Sequence, residues 1–300
     1  MTAGPLDVLQ RHAFDGFPGG AWVADEGGPA RAPTVLLLHG GGQTRHAWGG
    51  TALALARAGW HAVALDLPGH GESAWPDDGD YRIESLAREM ARFCRRFGGR
   101  PLALVGASLG GLISMAMVAR DDAPPVAAVA LVDIAPRLEE KGVDRIVNFM
   151  RAHPEGFATL EDAARHIAAY RGRPVVADVR GLGKNLRRNS AGRWAWHWDP
   201  RLMNDENHSH RNDPAYFERA LAGFGGELML IRGARSDVIS EAGAQRFCST
   251  FPKARMVNLA GAGHMVAGDA NDVFTRTVID YLTAVMPPDA EGIEPGAAPT

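Results

Sequence analysis

The chain is 300 residues long and 46% hydrophobic, enough apolar side chain for one large core, alone or with an insertion, and too much for disorder over most of its length. A formal net charge of −3 offers no basic footprint for nucleic acid. No apolar run approaches the roughly 20 residues that span a bilayer, and the opening MTAGPLDVLQRHAFDGF lacks the basic-then-apolar order of a secretory signal, so a cytoplasmic chain without a membrane span is expected.

In chain order, a weakly periodic stretch over about residues 10–24 can form an antiparallel hairpin. From residue 34 onward, apolar runs read as strands: TVLLLHG, HAVALDL, PLALVGA, VAAVALVDI, ELMLIRG and ARMVNLA. Helices are predicted near 47–58, 83–97, 109–120, 241–250 and 271–285; in the second, Ile83, Leu86, Met90, Phe93 and Phe97 recur at helical spacing and mark a core face. This alternation of strand and helix calls for a mostly parallel sheet with helices on both faces.

The alternation breaks between Arg137 and about Gly223, where helical pieces such as GVDRIVNFMRAH and LEDAARHIAAY surround the aromatic run RWAWHWDPRL. A structureless loop of that length is out of place in a compact domain, so 137–223 reads as a helical insertion capping the sheet edge, with the core made of 1–136 and 224–286. Residues 287–300, rich in Pro, Gly and Ala, read as a flexible tail. Cys94 and Cys248 both fall in helical segments and read as reduced structural thiols.

Chemistry concentrates at LALVGASLGGL, where Ser108 stands at a strand-to-helix turn between Gly106 and Gly110. The pattern G-x-S-x-G suits a turn sharp enough to expose a serine hydroxyl, with glycines where side chains would collide. A serine is a poor nucleophile at neutral pH unless a base lies within hydrogen-bond reach, itself oriented by a carboxylate. Asp237 follows the strand ELMLIRG and His264 follows ARMVNLA, so both loops open on the sheet edge that carries Ser108.

The order Ser108, Asp237, His264, together with this turn, resembles the α/β-hydrolase superfamily, in its serine esterase and lipase-like branch with a helical cap. LLLHGGGQ resembles that family's oxyanion loop and LDLPGHGES its following Gly-rich turn; the resemblance covers roughly 10–285 and is weakest over the cap. It implies an oxyanion hole made of the backbone amides of Gly41 and Leu109. Asp133, in LVDIAPR, also ends a strand where related enzymes sometimes carry the acid; Asp237 is preferred because RGARSD matches the commoner arrangement, which leaves Asp133 as a loop or cap anchor.

Several other residues need weighing. His39 reads as a brace of the oxyanion loop and His70 as a stabiliser of its own turn. The HSH of His208–His210 lacks a second ligand pair, and no metal is expected. HGGGQ has neither the Lys-Ser/Thr pair of a P-loop nor dinucleotide-fold spacing, and no cofactor is expected. The alternating Trp194, Trp196 and Trp198 either line a pocket or fix the insertion to the core; Trp196, Trp198 and Trp48 are the candidates for substrate contact.

The resulting expectation is a serine hydrolase acting on a small or medium carboxylic ester or lactone through an acyl-enzyme, with a small-molecule substrate as its partner and a homodimer compatible with it. Serine at the elbow argues against the dehalogenases and epoxide hydrolases of this fold, which use Asp there. Carbon–carbon bond hydrolysis, amide cleavage, cofactor-free perhydrolysis and a non-catalytic receptor role all stay open.

Overall fold

The computed structural model describes residues 8–17, 19–172, 174, 175, 178–208, 211, 213–264 and 271–288. Its frame is an eight-stranded sheet in the order β1-β2-β4-β3-β5-β6-β9-β10. Strands β1 (Gln10–Phe17) and β2 (Gly20–Gly27) form the antiparallel hairpin, and β2 continues antiparallel onto β4 (His61–Leu65). From β4 onward the sheet is parallel through β3 (Thr34–Leu38), β5 (Leu102–Ala107), β6 (Ala128–Val132), β9 (Glu227–Gly233) and β10 (Arg255–Leu259).

Every residue of β3, β4 and β6 is buried, which is why these strands read as continuous apolar runs rather than alternating ones. The period of two still sorts them between faces. Leu36, Leu38, Leu104 and Leu131 face α2 (Ile83–Cys94), α3 (Leu109–Val118) and α7 (Glu241–Thr250), whereas Val35, Leu37, Val105 and Ala130 face α1 (Gly49–Arg57) and the last helix. The predicted α2 stripe from Ile83 to Phe97 is buried throughout. Cys94 is buried, which pushes its thiol pKa upward, and both cysteines are free.

Between β6 and β9 the chain leaves the sheet edge and builds α4 (Glu140–Arg151) and α5 (Leu160–Arg171). Thr159 and Asp162 start α5 with a reciprocal capping box. The aromatic run then departs from the helical expectation, because β7 (Leu186–Arg188) and β8 (Trp194–Trp196) form a two-stranded antiparallel hairpin. Alternating tryptophans are a period-two signal, and the intervening Asn-Ser-Ala-Gly supplies the turn. The following α6 (Pro214–Ala222) returns to the core, burying Phe217 and Leu221 in the cluster that contains α2 and α3. The final helix, α8, spans Asn271–Val285. Of the tail, residues 289–300 lie outside the described residues, as do Ser209 and His210 of the HSH run. Among the described residues no helix is long and apolar enough to cross a membrane.

Candidate active site

Ser108 sits between β5 and α3 with φ +46° and ψ −114°, a conformation that L-residues rarely adopt. The glycines around it are sterically required. A Cβ on Gly106 would lie 2.6 Å from the Gly110 carbonyl oxygen, and one on Gly110 would lie 2.4 Å from the Leu38 carbonyl oxygen. The Gly110 amide also donates to the carbonyl of His39 (3.1 Å), tying the serine turn to the Gly-rich loop after β3. A Cβ on Gly40 would lie 3.3 Å from that of Ser108, so this loop lies directly against the serine. Gly41 is next to Leu109, with 4.0 Å between a Cβ built on Gly41 and Leu109 Cδ2. The amides either side of Gly41 are engaged: Gly40 N–H donates to Gln43 Oε1 (3.0 Å) and Gly42 N–H to His70 Nε2 (3.1 Å).

The carboxylate beside His264 corrects the sequence expectation. His264 Nδ1 donates to Asp133 Oδ2 at 2.8 Å, and Asp133, at the end of β6, is fully buried with φ +48°. The same carboxylate accepts the Gly233 amide (3.0 Å), from the last residue of β9, and the Ser236 hydroxyl (2.5 Å), from the loop that follows. Asp237 lies one residue beyond Ser236 and turns the other way. Its side chain is 42% exposed and pairs with Arg145 of α4 at 2.7 Å. The loop that was expected to supply the acid therefore supplies a hydroxyl donor to an acid on the adjacent strand.

Ser108 and His264 open into a cavity of about 410 Å³. Its floor is Gly40–Gln43, Ala107, Ser108 and Val132; its roof comes from α4 (Ile146, Phe149, Met150), α5 (Ile167, Tyr170) and Trp196 and Trp198. Trp196 and Trp198 stack at 4.6 Å and 11°, and Trp48 lines the wall while packing against Phe274. Trp194 is not part of the lining; it packs under the Arg188 guanidinium. Among the described lining residues there is no carboxylate, and Arg171 is the one guanidinium.

Behind the floor, His39 donates from Nδ1 to the Gly40 carbonyl (2.8 Å) and accepts from Leu67 N–H at Nε2 (3.0 Å). His70 donates from Nδ1 to the Pro68 carbonyl (3.0 Å), besides accepting from Gly42. Burial lowers the His39 pKa to about 3 and pushes that of His70 well below the ordinary value. Each ring spends one nitrogen as donor and the other as acceptor, an arrangement that only the neutral imidazole satisfies. Both thus serve the bracing role expected of them.

Neighbouring turns are cross-linked by Arg45, which sequence reasoning did not single out. Its guanidinium bonds Asp66 (2.5 Å), Asp25 (2.8 Å) and Glu72 (2.5 Å), holding the segment after β3 to the turn after β4. Asp66 is fully buried and leaves no room for a side chain at Gly71, whose Cβ would sit 2.1 Å from Asp66 Oδ2.

The α/β-hydrolase fold family matches residues 33–270. The chain belongs to that family. A relative named as an esterase, Rv0045c of Mycobacterium tuberculosis, is 34% identical over 206 residues, covering 65% of this chain and 64% of that protein. Mouse protein phosphatase methylesterase 1 is 31% identical over 138 residues, 45% of this chain and 36% of the methylesterase, so the matched region is less than two thirds of either relative. In three dimensions the Rv0045c structure superposes with a TM-score of 0.72 at 26% identity over 93% of both chains. The structure of E-2-(acetamidomethylene)succinate hydrolase gives a TM-score of 0.78 at 20% identity, covering 91% of this chain and 99% of that one, a likeness of fold alone.

Proposed function

We propose that this α/β hydrolase is a serine hydrolase of small to medium carboxylic esters, lactones included, acting through an acyl-enzyme. The reading is carried by the His264–Asp133 bond of 2.8 Å beneath a cavity that also holds Ser108. The names of its esterase relatives agree with it.

In this mechanism His264 takes the Ser108 proton as the oxygen attacks the ester carbonyl, and Asp133 holds the ring with Nδ1–H inward and stabilises the imidazolium that forms. The amides of Gly41 and Leu109 receive the oxyanion, the latter at the start of α3, where the first helical N–H groups point outward. His264 then passes its proton to the leaving alkoxide, draws one from water, and returns it to Ser108 as the acid departs. Residues 137–223 act as the cap over this chemistry, and the apolar roof of Ile146, Phe149, Ile167 and Trp196 selects the acyl group. Among the described residues the lining carries no carboxylate, which favours neutral or anionic acyl groups over cationic ones.

The test is hydrolysis of p-nitrophenyl esters from acetate to palmitate, with several lactones, by the parent chain, Ser108→Ala and His264→Ala. Turnover by the parent that both substitutions abolish is expected. A folded parent chain that turns over none of these substrates contradicts the reading.

A further inference from the structure

The Gly-rich loop is held by three histidines, each on a different peptide plane. His39 holds the Gly40 carbonyl, in the plane that carries the Gly41 amide, and His70 holds the Gly42 amide. The third is His197, which sits just beyond β8 in the 137–223 segment, 155 residues from its partner; its Nε2 donates to the Gly42 carbonyl at 3.3 Å. His197 Nδ1 accepts from Gly71 N–H at 2.7 Å, so this ring also has one donor and one acceptor nitrogen and is neutral. It is buried, packs against His70 at 5.9 Å, and its position is fixed by Arg187, which donates to the carbonyls of Gly71 and His197.

Gly42 itself is in the left-handed region at φ +74°, and its open face is covered by the Trp198 ring, 3.1 Å from where a Cβ would stand. Trp198 stacks on Trp196, and both line the cavity. One short stretch of the roof, Trp196–Trp198, thus touches the space a ligand would fill and also clamps the residue next to Gly41.

We infer that His197 is a positioning residue: through the Gly42 carbonyl it sets the orientation of the loop that presents the Gly41 amide, so the roof completes the oxyanion hole rather than only covering it. This rests on the hydrolase reading above. An oxyanion donor has to be aimed before the charge develops, because reorientation during the reaction forfeits much of its value. Two of the three braces come from turns of the sheet. The third arrives with the segment that binds substrate, which links a seated roof to a competent loop.

Two conservative variants separate the arms of the ring. His197→Gln places an amide N–H2 near the position of Nε2 and keeps donation to Gly42; His197→Asn keeps an acceptor near Nδ1 for Gly71 and loses the Gly42 arm. With p-nitrophenyl butyrate, below the unfolding temperature of each variant, His197→Asn is expected to lower kcat about 10- to 100-fold with KM within about twofold. His197→Gln is expected to recover most of that loss. A purely structural role predicts instead similar kcat for both variants alongside a lowered Tm, and that result overturns the inference. Amide hydrogen exchange across residues 40–43 reads the loop without any turnover. Faster exchange in His197→Asn than in His197→Gln is expected, and equal exchange in the two contradicts the inference even if the parent proves inactive on esters.

Discussion

The floor of the cavity and its roof are built on different principles. The floor is made of strand ends whose backbones are fixed by parallel ladders on both sides, and the polar side chains directly behind it are buried and satisfied: Asp133 accepts three hydrogen bonds, and His39 and His70 each make two. The roof consists of short helices and a small hairpin, joined to the floor by side-chain bonds such as Asp237 to Arg145 and Asp199 to the Tyr81 hydroxyl. A floor of this kind holds atoms in one place, which chemistry needs; a roof of this kind can vary, which substrate choice needs. The two aspartates at neighbouring strand ends illustrate the division, since Asp133 belongs to the floor and Asp237 anchors the roof.

If that division is right, substitutions in the floor remove turnover or folding, while those in the roof change selectivity, except at His197, which reaches down to brace the floor loop. The largest effect is expected for Ser108→Ala, a loss on the order of 10⁴- to 10⁶-fold in kcat with the fold intact by circular dichroism. Gly110→Ala forces a Cβ to within 2.4 Å of the Leu38 backbone oxygen, and a destabilisation of about 3 kcal/mol or more in urea unfolding is expected. A variant as stable as the parent would mean that the elbow is less tightly packed than described.

The buried histidines, one in the floor and one in the roof, make the fold acid-sensitive. Burial lowers His39 and His197 to about 3, below the ordinary 6.5 of the unfolded chain. Above about pH 6.5 both states hold these rings neutral and their contribution to stability is complete. As pH falls toward 3 the unfolded chain takes up protons that the folded one refuses, and stability is lost by up to about 1.4 kcal/mol per pH unit per ring. Urea midpoints at pH 7 and pH 5 measure this, and a midpoint that does not fall on acidification contradicts neutral burial. The smallest change is expected from the roof: Ile167→Ala should move the acyl-chain optimum by one or two carbons, with kcat within about threefold on the best substrate. A loss of kcat as large as that of a floor variant would erase the distinction.

Much of the floor was legible in the sequence because it is written locally. The apolar runs of β3, β4, β5, β6 and β9 are long and bounded by Gly, Asp or Pro, and the serine turn carries its own glycines. Ser108 and His264 accordingly open into one cavity, as strand-end reasoning anticipates. What failed depends on which way a loop turns once two strands are neighbours. β6 and β9 are adjacent and parallel, so acids at either end were candidates, and the choice fell to Ser236 pointing inward and Asp237 outward. No local pattern encodes that. The hairpin β7–β8 was hidden because each strand has three residues, too few for periodicity to outweigh an aromatic-rich context. His197 was invisible for another reason: its partners Gly71 and Gly42 are 126 and 155 residues away.

The central claim, that the acid at work is Asp133 and not Asp237, is tested most directly by kcat/KM of Asp133→Asn and Asp237→Asn on one p-nitrophenyl ester, both variants being checked for folding. Asp133→Asn is expected to lose about 10⁴-fold, since an amide presents the wrong partner to the His264 Nδ1–H. Asp237→Asn should stay within about tenfold, an exposed ion pair being worth about 1 kcal/mol or less. The reverse pattern, with Asp237→Asn inactive and Asp133→Asn active, would contradict the account.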